Sequence, residues 1–178
     1  VNTAAWPEAW ADLDVCPKRG LPIPYSTARA PDGTGRFSVN DVARKVRCGR
    51  ERRCGVCALP LGWWVVFFTE QHGVELRCPV FTDAPLHEAC AEASLEGACP
   101  YIYRPRVPRR PEPGAAAPWC FGPGQPKAGW LMHVTHSYEM VPQPAAGGGT
   151  VWAFRPGPAK RTRRFAYGAD GVLREERL

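Results

Sequence analysis

Two short pairs of residues hold the chemistry of this chain. Cys54-Gly55-Val56-Cys57 places two thiols on one tight turn, and His87-Glu88-Ala89-Cys90 places an imidazole and a third thiol three positions apart. Cys-x2-Cys followed by His-x2-Cys is the spacing of a Cys3His zinc set: Cys54, Cys57, His87 and Cys90 could share one tetrahedral ion. The same residues could instead be separately buried, or pair as disulfides, since cysteine is often buried for packing alone.

The elements that must position these ligands can be read around them. Gly55 supplies permissive backbone inside the turn. Two extended apolar runs, Trp63 to Phe68 and Val74 to Phe81, flank the turn-like Glu70-Gln71-His72-Gly73 and read as a hairpin. Pro85 stands near the first position of a helix, where its missing N–H costs nothing, and i, i+3 spacing then puts His87 and Cys90 on one face. Knuckle, hairpin and helix start together resemble a treble-clef zinc finger over about residues 52–98. The ligand order resembles a LIM-type finger, and the architecture is shared with HNH proteins, although the loop between the pairs is longer than in LIM fingers. The phrases Cys-x2-Cys-x-x-Pro-Leu and Pro-Leu-His-Glu-x-Cys-Ala also resemble small uncharacterised bacterial and phage zinc-binding proteins, and no activity comes with that likeness.

Composition sets the outer bounds. The chain has 178 residues, a net charge of +6, twenty prolines and eighteen glycines, which imply short elements joined by irregular chain. Cys16, Cys48, Cys78, Cys99 and Cys120 lie outside the ligand set, and pattern alone leaves open a second metal, haem or redox site among them. No stretch reads as a signal peptide and no apolar run approaches about eighteen residues, so a reduced, cytoplasmic protein away from membranes is expected.

Four segments follow from the pattern: an N-terminal helical and irregular part (1–51), the finger (52–103), a Pro-rich connector (104–128) and an antiparallel β part (129–178). They are expected to dock as one compact α+β unit. In the first, Trp6 and Trp10 share a helical face. Ser38 and Asp41 resemble a capping box, with Val39, Val42 and Val46 as the buried stripe of a helix that Gly49 ends. In the last, Trp130 to Met140 alternates as one strand. That pattern sends His136 inward with Met132 and Val134, turns His133 outward, and so denies the two histidines a shared metal. Gly147-Gly148-Gly149 and Asp170-Gly171 mark two further turns.

Charge is concentrated twice. Arg44, Lys45, Arg47, Arg50, Arg52 and Arg53 run into the knuckle, and Arg155, Lys160, Arg161, Arg163 and Arg164 precede the last hairpin. Glu88, Glu92 and Glu96 form an acidic row that would repel phosphate. The two basic groups are therefore expected to form one positive surface on the opposite side, suited to DNA or RNA.

Catalytic motifs are missing: there is no phosphate-binding loop, no dinucleotide fingerprint and no nucleophile elbow. An HNH-like reading would call on His72, Glu88 and Glu92, but no Asp-His step marks the first strand. The resulting expectation is a zinc-binding, non-enzymatic module associated with nucleic acid. Its alternatives are a protein–protein adaptor and an HNH-like nuclease or other metal-dependent enzyme. The proline density of 104–118 leads to one measurable expectation: its amides exchange faster than those of residues 63–68, and equal protection would contradict it.

Overall fold

The computed structural model describes residues 6–70, 80–103, 129–144 and 148–176. The turn carrying His72, most of the second run of the expected hairpin, Cys78, the 104–128 connector and Cys120 lie outside these residues.

After a 3-10 turn at Glu8–Trp10, the chain forms β1 (Thr27–Arg29), β2 (Gly35–Asn40), α1 (Val42–Arg50) and β3 (Val65–Glu70). Then come α2 (Glu88–Ala93), a π-type turn over Ser94–Ala98, and α3 (Pro100–Tyr103). Five strands follow: β4 (Gly129–Thr135), β5 (Tyr138–Pro144), β6 (Thr150–Pro156), β7 (Arg161–Tyr167) and β8 (Leu173–Glu176). The main sheet is antiparallel with strand order β3-β4-β7-β8, while β1-β2 and β5-β6 form separate two-stranded sheets.

β3 organises the interior because both of its faces are covered. Val66 and Phe68 enter one core with Trp10, Leu86, Trp130, Met132, Val134 and Phe165. Val65 and Phe67 enter a second with Cys48, Phe81, Ala84 and Phe154. An unbroken apolar run is what a strand needs when neither face meets water. One edge of β3 pairs with β4 from Val65↔Thr135 to Glu70↔Trp130. On its other side, Val66 exchanges backbone hydrogen bonds with Leu86, both at 2.9 Å, one residue before the first helix-borne ligand.

Several sequence expectations change. The helix expected from Ser38 begins at Val42: residues 35–40 are strand β2, and Asp41 is the cap, accepting from the Arg44 N–H at 3.0 Å. Val42 is 53% exposed, and α1 buries Lys45, Cys48 and Gly49 instead. Gly49 lies inside this helix, and a Cβ there would stand 2.5 Å from Phe154 Cε1 and 2.8 Å from Met140 Sδ. The Trp6–Trp10 pair does stack, with ring centroids 5.7 Å apart, although the helical turn there spans three residues.

The long strand expected from Trp130 to Met140 is two strands in different sheets. The break has a local cause. Thr135 Oγ1 accepts the Ser137 N–H at 3.4 Å, while Gly157 N–H donates to Ser137 O at 2.8 Å. These bonds compete with continuation of the ladder. Beyond the break, Tyr138 and Met140 serve the second core and His136 is exposed, while His133 is half-buried with its Nε2 3.1 Å from Gly157 O. The inward and outward assignments of the two histidines are thus reversed. The closing hairpin forms as expected, with Tyr167 opposite Leu173 and Gly171 at φ 75°.

The close approach of α1 to β6 makes Gly49→Ala a test of this packing. It is expected to destabilise the protein by about 1–3 kcal/mol through overpacking against Phe154, read as a lowered midpoint in denaturant titration.

Candidate metal centre

The knuckle is a miniature hairpin. Arg53 and Pro60 form an antiparallel bridge, Cys54 N–H donates to Leu59 O at 2.9 Å, and Ala58 N–H donates to Cys54 O at 2.9 Å. The left-handed backbone falls at Ala58 (φ 61°) and Arg52 (φ 48°), not at Gly55. Gly55 is needed for close approach: a Cβ there would lie 2.9 Å from Ala84 Cβ and 3.3 Å from Ser26 Oγ. Its own N–H donates to Pro85 O at 2.9 Å, and its carbonyl accepts from Ser26 N–H at 2.9 Å. The knuckle is therefore clamped from two sides.

The second pair arrives on α2, which begins later than expected. Pro85 precedes the helix, Leu86 bridges to β3, and His87 is the extended N-cap residue with ψ 150°. Cap and third helical position still converge, so His87 and Cys90 face the knuckle together. The donor atoms of Cys54, Cys57, His87 and Cys90 all lie within 4.8 Å of one another, with the three cysteines buried. His87 Nδ1 is 3.4 Å from Cys57 Sγ and 3.9 Å from Cys90 Sγ. Donors around a tetrahedral ion with bonds of about 2.0–2.3 Å are spaced about 3.3–3.8 Å apart. The group could hold a metal ion.

The surroundings support ligation. His87 Nε2 lies 2.9 Å from Pro60 O, the contact that leaves Nδ1 with its lone pair toward the thiols. Trp10 Nε1–H donates to Cys90 Sγ at 3.1 Å, and the N–H groups of Val56 and His87 donate to Cys54 Sγ at 3.4 and 3.5 Å. Burial opposes ionisation of Cys54, yet hydrogen bonds from Cys57, Cys90 and backbone N–H groups outweigh it and hold this thiol well below its usual range. Cys90 is pushed the other way, first by its hydrogen bond to Cys54, then by that to Cys57 and by burial. The cluster thus accepts one negative charge readily and resists the next. Three thiolates at this spacing require a cation.

The remaining cysteines separate from this set. Cys48 is buried with its Sγ 3.7 Å from Cys54 O, and burial pushes its thiol up to about 12, the behaviour of a packing residue. Cys16 is fully buried and Cys99 partly so. Among the described residues, Cys54, Cys57, His87 and Cys90 are the one group of this kind.

Many of the basic residues are buried or paired with carboxylates. Lys45 is buried, 6% exposed, and burial lowers its pKa while Asp83 partly restores it. Arg47 and Arg53 share Glu51, and Arg44 reaches Asp41 at 3.7 Å. Arg155 pairs with Glu139. Arg161 binds Glu88, and Arg163 binds Glu92 at 2.5 Å and Glu175 at 2.8 Å. Two members of the second basic group therefore lie against Glu88 and Glu92 rather than away from them. Opposite charges attract across the gap between α2 and β7, and each neutralises the other. Arg50, Arg52, Lys160 and Arg164 are exposed and have no carboxylate partner among the described residues.

No protein-family model, curated protein or solved structure matches this chain. The site must therefore be understood from its own chemistry. Cys54→Ser is expected to abolish metal binding and lower the thermal midpoint, while Cys48→Ala leaves the metal stoichiometry unchanged; elemental analysis distinguishes them. Trp10→Phe removes the N–H donor to Cys90 and is expected to weaken metal affinity about tenfold in chelator competition. Affinity falls as pH is lowered, because protons compete for the thiolates.

Proposed function

We propose that this chain is a zinc-stapled, non-enzymatic module of treble-clef type that associates with nucleic acid. The observation that carries the reading is the closed donor set. Four protein ligands fill a tetrahedral ion, leaving no position for a reacting water, and three thiolates with one imidazole are soft donors suited to zinc. Such an ion is a folding device, worth on the order of 10 kcal/mol. The ladder between β3 and β4 joins chain on either side of the 104–128 connector, which supports one compact unit rather than independent domains.

The nucleic-acid part rests on the net charge of +6 and on Arg50, Arg52, Lys160 and Arg164, exposed cations that no described carboxylate neutralises. The nuclease alternative is weaker because Glu88 and Glu92, its carboxylates for a second ion, are held by Arg161 and Arg163. The adaptor alternative draws support from the same ion pairs, since they remove charge that phosphate would need.

Binding of a generic DNA or RNA fragment across a salt series tests the reading. The intact protein is expected to bind at low salt and weaken steeply as salt rises. Arg50→Glu with Arg52→Glu should weaken binding about tenfold and flatten the slope by roughly one unit per lost phosphate contact. Undetectable binding at low salt would leave the adaptor in its place.

A further inference from the structure

At one end of the main sheet the structure exposes aromatic rings that the core does not use. Trp63 is 71% exposed and Trp64 38% exposed, immediately before β3 begins. Continuing the β3–β4 register one step past Val65↔Thr135 sets Trp64 beside His136. Trp63 stacks on the His136 ring with centroids 5.6 Å apart and planes within 8°, and Trp64 meets the same ring edge-on at 6.0 Å. Lys160 Nζ stands 4.3 Å from the Trp64 centroid. One face of Trp63 lies against His136, so its exposed area is the opposite face and the ring edges.

These rings are held, not dangling. Arg52 Nη2 donates to Gly62 O at 3.3 Å, and Leu61 N–H donates to Arg52 O at 2.7 Å. The His136 turn is fixed by Thr135, which is fully buried and whose hydroxyl donates to Pro158 O at 3.0 Å. Lys160 N–H donates to Val134 O at 2.8 Å. Pro60, three residues before Trp63, is the carbonyl partner of His87, so the metal centre and the ring segment share one stretch of backbone.

We infer that Trp63, Trp64 and His136, flanked by Arg52 and Lys160, form a stacking platform for single-stranded nucleic acid. The inference rests on the nucleic-acid reading above and narrows it to strand type and surface. Unpaired bases offer open faces that a ring can cover, while paired bases do not, and adjacent cations take the phosphates between them. Charge favours this occupant. The segments 59–64, 135–138 and 157–160 contain no carboxylate, and Arg52 Cζ lies 5.5 Å from the Tyr138 ring centre on the platform's flank. An acidic polymer with flat bases satisfies both features at once.

The test uses the full, metal-loaded protein and fluorescein-labelled oligothymidylate of about twenty nucleotides, with a duplex of the same length beside it. Anisotropy at two salt concentrations should show tighter binding of the single strand. Trp63→Ala is expected to weaken it about tenfold or more, with Trp63→Phe retaining part of the affinity. Lys160→Ala should flatten the single-strand salt slope by about 0.7. Trp63 is exposed, so metal content and thermal midpoint should be unchanged. If the protein binds oligonucleotide with normal salt dependence while Trp63→Ala and Trp64→Ala bind equally well, the platform is overturned and the nucleic-acid reading stands. If no oligonucleotide binds at low salt, both fall, and the rings belong to a protein partner.

Discussion

Three thiols and an imidazole gathered within 4.8 Å are a constraint that no packing force supplies. Hydrogen bonds among the thiols hold Cys54 well below its usual range and push Cys90 above it. Most of the surrounding structure can be understood as what is needed to hold the four donors there. Trp10 comes from the N-terminal segment, Pro60 from the knuckle's return strand, and Leu86 is bonded to β3 next to His87. Each ties a distant piece of chain to the same point.

β3 carries that constraint into the rest of the fold. Its two faces feed two cores, so the centre, the main sheet and the α1–β6 packing share one strand. Small side chains do the fine adjustment. Gly55 lets the knuckle touch Ala84, and Gly49 lets α1 settle on Phe154. Tyr138 closes the second contact by donating to Gly49 O at 2.8 Å. Tyr167 does similar work elsewhere, receiving the Trp130 indole N–H at 2.8 Å and donating to Ile102 O.

The charge of the molecule is less available than its composition implies. Nineteen arginines stand in the chain, yet those facing α2 neutralise its glutamates, with Arg163 serving Glu88, Glu92 and Glu175 together. That junction holds β7 against α2. The shift of Arg163 well above its ordinary range, caused first by Glu175 and opposed by partial burial, reflects this role. Of the exposed cations left without a carboxylate, Arg52 lies over the Tyr138 ring and Lys160 over the Trp64 ring.

The amino-acid order alone determined what depends on near neighbours. The spacing inside each pair is short-range, so Cys54 with Cys57 and His87 with Cys90 were legible, and the structure gathers them into one group that could hold a metal ion. The closing hairpin was legible as well, because Asp170-Gly171 carries its own turn chemistry. The apolar run from Trp63 to Phe68 was legible as a strand, although the covering of both faces of Val65 to Phe68 and the exposure of Trp63 and Trp64 were not. Only the tertiary structure decided the long-range matters. Period alone could not reveal that Trp130 to Met140 breaks at His136, because alternation persists through a turn that side-chain hydrogen bonds impose. A helix pattern could not reveal that α1 buries Lys45 and exposes Val42, because the facing surface selects the buried side. Nor could charge counting place Arg161 and Arg163 against Glu88 and Glu92, more than seventy residues away in sequence. Electrostatic partners are chosen by distance in space, and that distance exists only once the chain has folded.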